Sequence, residues 1–374
     1  KTYYDDPCYR ANLARLDLVI LGFYKDWGGG PSAIQAVLQN IKAINPQIRI
    51  GQYSVLTEMY DNDYEPIAEI RAKLYSEDWW LLNAAGEKVQ WTSAYDTWEV
   101  NITGFTDIDA GGYRYPEWFA HWMHDNFFSP VPEFDIWYFD NVFPKPRVTA
   151  DYTRDGVNEA PDDIQVAYRE GAVSEWAEAR TLVPAAITFI GNVSDLTSAE
   201  YTKQLDGGFL EALMGESYSI ETLGSWDTMM NYYRSAMEHV KDDTLVIFNV
   251  HGSARDYRLM RYGLCSCLLG NGHFSYSNIH DGYSSVLWFD EYNISLGNPV
   301  DPPPTDAYYS NGVYRRRFDN GMVLVNPKGN GRQTVTVESG YRRIQGTQSS
   351  LVNSGEPAAD VTLNERDGII LLKI

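Results

Sequence analysis

The stretch Phe134-Asp135-Ile136-Trp137-Tyr138-Phe139-Asp140-Asn141-Val142 is an apolar, aromatic run that ends in a carboxylate and an amide, with Pro132 before it and Pro144 after it. Short runs of this kind, bounded by turn signals, read as buried strands. The spacing returns once, in Asp206-Gly207-Gly208-Phe209-Leu210-Glu211-Ala212, where Asp206 corresponds to Asp135 and Glu211 to Asp140. Side chains alternate along a strand, so Ile136, Tyr138 and Asp140 share one face and Trp137 and Phe139 the other. Gly207, Phe209 and Glu211 share the matching face of the second strand. A carboxylate at the carboxyl end of a strand, in a chain that alternates strands with helices, sits where barrel enzymes keep their chemistry. Two strands that each deliver one carboxylate meet the requirement for glycosidic bond hydrolysis.

Outward from this stretch the alternation is regular. Strands are expected at residues 16–24, 49–55, 98–102, 134–142, 186–192, 206–211, 244–250 and 273–277. Helical spacing of apolar residues fills the gaps at 31–44, 65–75, 161–182, 226–240 and 254–269, with a further helix around Trp118, Phe119, Trp122 and Met123. Eight strands alternating with helices is the count for an α/β fold of the (β/α)₈ TIM-barrel type. Gly28-Gly29-Gly30 completes no phosphate-binding fingerprint, so a nucleotide-binding doubly wound sheet is the weaker alternative. Composition changes at Leu296-Gly297-Asn298-Pro299 and Pro302-Pro303-Pro304, a stiff linker. Beyond it, alternating runs around an Asp319-Asn320-Gly321 turn predict a small all-β sandwich. The expected division is a barrel over residues 1–298 and a β-sandwich domain over 299–374.

The totals narrow the function classes. With 374 residues and 44% hydrophobic content, the chain has ample core for a large globular domain. A formal net charge of −21 disfavours nucleic acid and anionic membrane surfaces as partners. No apolar run approaches the roughly 20 residues of a membrane span, so membrane insertion is not expected. Cys8, Cys265 and Cys267 form neither a disulfide framework nor a zinc spacing. No HExxH, GxSxG or P-loop pattern occurs, and no cofactor or metal is expected. A chain opening at Lys1 rather than Met fits either a removed signal peptide or a trimmed sequence, and the acidity suits a secreted or cell-surface setting. The oligomeric state is left open.

Asp140 and Glu211 are the candidate catalytic pair. One carboxylate, kept ionised by hydrogen bonds with Asn141 as a candidate donor, attacks or activates water; the other protonates the leaving oxygen. Strand-end acids also cap neighbouring helices or hold a loop arginine, the structural alternative for both. Glu216, on a loop beyond Glu211, is a rival acid. Glu58 after the second strand is a candidate for holding a sugar hydroxyl, and His251 at a strand tip either binds substrate or is a satisfied structural histidine. Tyr24 and Tyr276 are candidate lining residues. The 14% aromatic content includes Trp79 and Trp91, which read as sugar-stacking platforms or as hairpin packing.

The ordering resembles the hypothetical glycosyl-hydrolase-like barrel families and, more distantly, the retaining α-galactosidase and α-glucosidase clans. The resemblance rests on the strands 135–141 and 206–211, on Trp288-Phe289-Asp290-Glu291-Tyr292 followed by Leu296-Gly297-Asn298-Pro299, and on the tail segments 316–327 and 367–372. It implies a nucleophile on strand four and an acid/base on strand six, where Asp140 and Glu211 fall by count; a glutamate rather than an aspartate on strand six is a departure. The reading is thus a glycoside hydrolase acting on a poly- or oligosaccharide, with retention implied by the resemblance. The alternative is a non-catalytic carbohydrate-binding barrel.

Overall fold

Alternating aromatic and β-branched residues between turn signals give this chain its strands, and amphipathic runs started by Pro or by a capping Ser or Asp give it helices between them. The computed structural model describes residues 3–193, 204–242, 245–281, 283–303 and 309–374. The chain forms two compact units, Lys1–Asp206 and Gly207–Ile374.

In the first unit the strands are β1 (Leu18–Leu21), β2 (Arg49–Val55), β3 (Glu58–Tyr60), β4 (Thr97–Glu99), β5 (Ile136–Val142) and β6 (Thr188–Val193). β1 pairs with β2, β2 with β5 and β5 with β6, all parallel. Gly51 is required at the centre of this sheet, because a Cβ there would lie 2.6 Å from Ile20 and 3.0 Å from Ile136. The apolar face of β5 is a stack of rings. Trp137 lies 5.4 Å from Phe139 and 4.5 Å from Phe128, and Phe139 meets Trp176 and Phe189 edge to face. Trp176 belongs to the helix Pro161–Leu182, which starts with Pro at its first turn followed by Asp162 and Asp163, a sequence that suits a helix N-terminus. Gly171 lets this helix approach the backbone of Ile102, whose carbonyl oxygen would stand 1.9 Å from an added Cβ.

The expected third barrel strand at 98–102 is corrected here. Only Thr97–Glu99 is a strand, and β4 runs antiparallel to β3 in a separate two-stranded ladder rather than joining the parallel set. Period-two alternation makes a strand legible but says nothing of its partner or direction.

The second unit contains β7 (Gly207–Met214), β8 (Val246–Gly252) and β9 (His273–Asn278), parallel in that order. The helices Trp226–His239 and Tyr257–Leu268 follow β7 and β8, capped by the Ser225 and Asp256 side chains. The antiparallel strands are β10 (Tyr314–Arg317), β11 (Gly321–Asn326), β12 (Gln333–Thr336), β13 (Tyr341–Arg343), β14 (Asp360–Leu363) and β15 (Asp367–Lys373). They make a four-stranded sheet ordered β10-β11-β15-β13 and a β12-β14 ladder. Met322, Leu324, Val335, Val361, Leu363, Ile369 and Leu371 form the core between them. Arg316, in the run Arg315-Arg316-Arg317, is buried, donating to the carbonyls of Leu268 and Gly270 and to Asn271. Thr244 of the expected seventh strand and Pro304 of the linker lie outside the described residues.

The fold is therefore mixed α/β, with parallel strands and crossover helices in both units and antiparallel strands after them. Among the described residues the parallel strands number seven where eight are expected.

Candidate active site

Asp140 stands at a register break near the end of β5, two residues before Val142. Phe139 pairs with Gly191 and Val142 with Val193, so β5 carries one more residue than β6 across this interval. Such bulges re-aim side chains at strand ends. Asn141, within the bulge, takes φ +56°, a conformation that Asn tolerates better than most residues. The turned-out carboxylate collects donors from three directions. The Tyr53 phenol on β2 donates to Oδ2, while Asn192 Nδ2 on β6 and the Asn141 amide each donate to Oδ1 at 2.9 Å. Tyr53 pairs with Tyr138 in the ladder and stacks on it at 5.8 Å, so the ring that holds Asp140 is itself fixed from below.

Asn141 connects Asp140 to a second group of charges, its Nδ2 donating to Glu58 Oε1 at 3.1 Å. Glu58 Oε2 accepts from Trp91 Nε1 at 2.9 Å, Thr97 Oγ1 at 3.0 Å and Arg147 Nη2 at 3.1 Å. Glu99 stands opposite Glu58 in the β3–β4 ladder and shares the same guanidinium nitrogen at 3.0 Å. Like charges directly across a ladder repel, and Arg147 between them offsets this. Glu99 is buried; its burial pushes the carboxyl up to about 7, with Arg147 opposing and Glu58 adding to the rise. Arg147 lies over the Trp91 ring, 4.4 Å from its centroid.

In the second unit, Glu211 repeats this pattern. β7 gains two residues on β8 between Leu210 and Met214, and Ala212 after Glu211 has φ +48°. Asn249 Oδ1 on β8 accepts the Ala212 amide at 3.0 Å, and Ser219 Oγ donates to the Ala212 carbonyl at 2.6 Å. The Tyr283 phenol donates to Glu211 Oε1 and lies 2.7 Å from His251 Nε2; His251 Nδ1 is 3.2 Å from Glu216 Oε1. The phenol has one proton. If it goes to Glu211, then Nε2 of His251 must be the donor to Tyr283. The Nδ1–Glu216 bond then needs a second proton, carried by either partner. Gly215 permits the close approach here, since a Cβ on it would stand 1.6 Å from the His251 carbonyl oxygen.

The expected residues thus fall into groups. Asp140, Asn141, Glu58 and Trp91 are joined by hydrogen bonds in the first unit, and Glu211, Glu216 and His251 in the second. Both ring nitrogens of His251 are occupied by protein partners. Tyr24 is exposed and meets Tyr64 edge to face at 5.3 Å. Two expected binding residues are corrected. Trp79 is wholly buried against Tyr115 and Trp118 and donates to the Asp107 carbonyl. Tyr276 is buried against Phe289 with its phenol on the Ser253 carbonyl. Tyr53, Glu99, Arg147, Asn192 and Tyr283 escaped sequence reading. Asn192, at the end of its strand, carried the same positional signal as Asp140. Asp151, Asp155 and Glu159 bring oxygens within 4.8 Å of one another. The loop's own groups already bind them: the amides of Asp155 and Gly156 on Asp151, and the Tyr152 amide and Thr153 hydroxyl on Glu159.

The model of hypothetical glycosyl hydrolase family 15 matches residues 42–322. No curated protein matches the chain by sequence. Among solved structures, an Anoxybacillus α-amylase is similar with a TM-score of 0.50 at 10% identity, covering 99% of this chain and 90% of its own. The α-amylase of Geobacillus thermoleovorans, solved with acarbose, gives 0.52 at 8% identity, covering 98% and 90%. A Nostoc punctiforme debranching enzyme gives 0.51 at 12% identity, covering 99% and 88%. At these identities the likeness concerns fold alone. The family match spans most of the chain, and with it the strands that carry Asp140 and Glu211: the chain belongs to hypothetical glycosyl hydrolase family 15 and is a glycoside hydrolase.

Proposed function

We propose that the protein cleaves glycosidic bonds of an oligo- or polysaccharide, with retention of configuration, using Asp140 as nucleophile and Glu211 as acid/base on a closed amylase-type barrel. The observation that carries this is the shared construction of the two positions. Each acid lies in the carboxyl-terminal half of a parallel strand at a register break, precedes a residue of positive φ, and accepts a tyrosine phenol. A carboxylate that collects donors as Asp140 does is held as the anion a nucleophile must be.

In the first step Glu211 gives its proton to the leaving oxygen while an Asp140 oxygen bonds to the anomeric carbon and the glycosidic C–O bond breaks. In the second, Glu211 takes a proton from water, whose oxygen displaces Asp140 and releases the sugar with its original configuration. Asn192, Tyr53 and Asn141 hold the Asp140 oxygens through both steps, and Glu58, whose oxygens accept from Asn141, Trp91, Thr97 and Arg147, braces Asn141 rather than a sugar hydroxyl.

Reducing-sugar release across a polysaccharide panel tests the reading, with wild type beside Asp140→Asn and Glu211→Gln and thermal melts as folding controls. Release by wild type that vanishes in both folded variants is the expected result. Equal release by all three would remove Asp140 and Glu211 from the chemistry. Proton NMR of the first-formed anomer reports retention or inversion.

A further inference from the structure

Six rings of the first unit stand partly in solvent. Tyr24, Tyr53, Tyr60, Tyr64, Trp91 and Tyr95 are each 38 to 59% exposed. They are not scattered. Tyr53 bonds Asp140, and Asp140's neighbour Asn141 bonds Glu58. Glu58 holds Trp91 by its indole nitrogen, and Tyr95 leans on Trp91 at 5.7 Å. Tyr60 lies two residues beyond Glu58 on β3, within electrostatic reach of Glu58, Asp96 and Tyr24. Tyr24 shares a hydrogen bond with Tyr64 and meets it edge to face.

The band is held in place rather than loose. Trp91 is fixed between Glu58 and the Arg147 guanidinium, Tyr53 rests on Tyr138, and Tyr24 and Tyr64 brace each other. Rings held partly exposed in this way are preorganised for a flat apolar partner whose edges form hydrogen bonds. A pyranose ring has that form, with C–H groups on its faces and hydroxyls around its rim.

The charge around the band selects among glycans. Asp26, Glu58 and Asp96 face the tyrosines. The nearby cations are engaged: Lys25 with Glu69, Arg71 with Asp61 and Asp63, Lys88 with Asp61, and Arg147 with Glu58 and Glu99. A polyuronate or sulfated chain would meet like charge here, as would an anionic lipid surface.

Resting on the hydrolase reading, we propose that this band is a multi-residue binding platform for an uncharged glycan chain leading away from Asp140, so that the substrate is a chain of several sugars rather than a mono- or disaccharide. Binding and turnover are measured separately. The full-length Asp140→Asn variant is titrated calorimetrically with malto-, cello-, xylo- and chito-oligosaccharides, each as disaccharide and hexasaccharide, and with hexagalacturonate. At least one neutral hexasaccharide should bind about tenfold or more tighter than its disaccharide, and hexagalacturonate should not bind. Adding Tyr60→Ala, Tyr64→Ala or Tyr95→Ala singly should weaken the hexasaccharide by about 2- to 10-fold, the range of one aromatic contact. Tyr95, the most exposed of the six rings, gives a variant whose fold is least at risk. The proposal is overturned if no neutral hexasaccharide binds, if length makes no difference, if hexagalacturonate binds as well, or if the three variants bind like their parent. If wild type turns over a polymer and the three tyrosine variants keep its KM, the platform falls and the hydrolase reading stands. Length-dependent binding without turnover by wild type would leave the platform and remove the hydrolase.

Discussion

The phenol of Tyr53 donates to the carboxylate of Asp140 across the β2–β5 ladder, from a ring stacked on Tyr138. Tyr53→Phe deletes that donor and keeps the ring. Since the phenol orients the attacking carboxylate, and a small misplacement of a reacting group is costly, kcat/KM should fall by about 10- to 100-fold. The melting temperature should move little, because the lost hydrogen bond lies at a half-exposed position. Steady-state kinetics beside a thermal melt checks both. A variant as active as wild type would detach Tyr53 from the chemistry.

Glu99 makes stability depend on pH in an unusual direction. Its folded carboxyl titrates at about 7 against an ordinary 4.5, so between these values the folded chain keeps a proton that the unfolded chain has released. Stability from this group is therefore fully present below about 4.5, falls as pH rises to about 7 and levels off above it. The change is at most a few kcal/mol. Glu99→Gln removes the titration, so urea unfolding at pH 5 and pH 8 should differ less for the variant than for wild type. An unchanged difference would mean that Glu99 is ionised throughout.

The repeat legible in the sequence has a physical cause at both ends. At the start of each strand an aspartate is tied to the preceding strand and helix. Asp135 accepts the Ile50 amide and pairs with Lys42, and Asp206 accepts the Phe189 amide and pairs with Arg180. Each is a register clamp. Removing it should cost about 1–3 kcal/mol, since it leaves a ladder-edge amide without its acceptor. Asp135→Ala measured by denaturant unfolding tests this for β5; a loss within experimental error would mean that water replaces the carboxylate there.

Clamp and proposed catalytic acid recur at a fixed spacing, so the sequence displays them. What surrounds the acids was not legible, because register supplies it. Tyr53 reaches Asp140 across a ladder between residues far apart in the chain, and Tyr283 reaches Glu211 from a loop beyond β9. The run at 98–102 alternates like a barrel strand, yet the opposition of Glu99 to Glu58 follows from an antiparallel pairing that alternation does not encode. Trp79 and Trp91 read alike in sequence. One is a core ring and the other an exposed ring bonded to Glu58, and only the fold separates them.

Glu211 and Glu216 sit at the two ends of one hydrogen-bonded chain through Tyr283 and His251, so geometry within this unit leaves both as proton donors. Leaving-group chemistry separates them. A general acid matters in proportion to the basicity of the departing oxygen; a nitrophenolate departs without it, whereas a sugar alkoxide does not. If Glu211 is the acid, Glu211→Ala should lose about 100-fold or more on the natural glycan and far less on the nitrophenyl glycoside of the same sugar. Glu216→Ala should lose similar, smaller factors on both, because it acts on Glu211 through His251 and Tyr283. Tyr283→Phe should resemble Glu216→Ala. If Glu216→Ala instead shows the large loss confined to the natural glycan, the acid is Glu216, and Glu211 becomes the residue that the Tyr283–His251 chain holds in place.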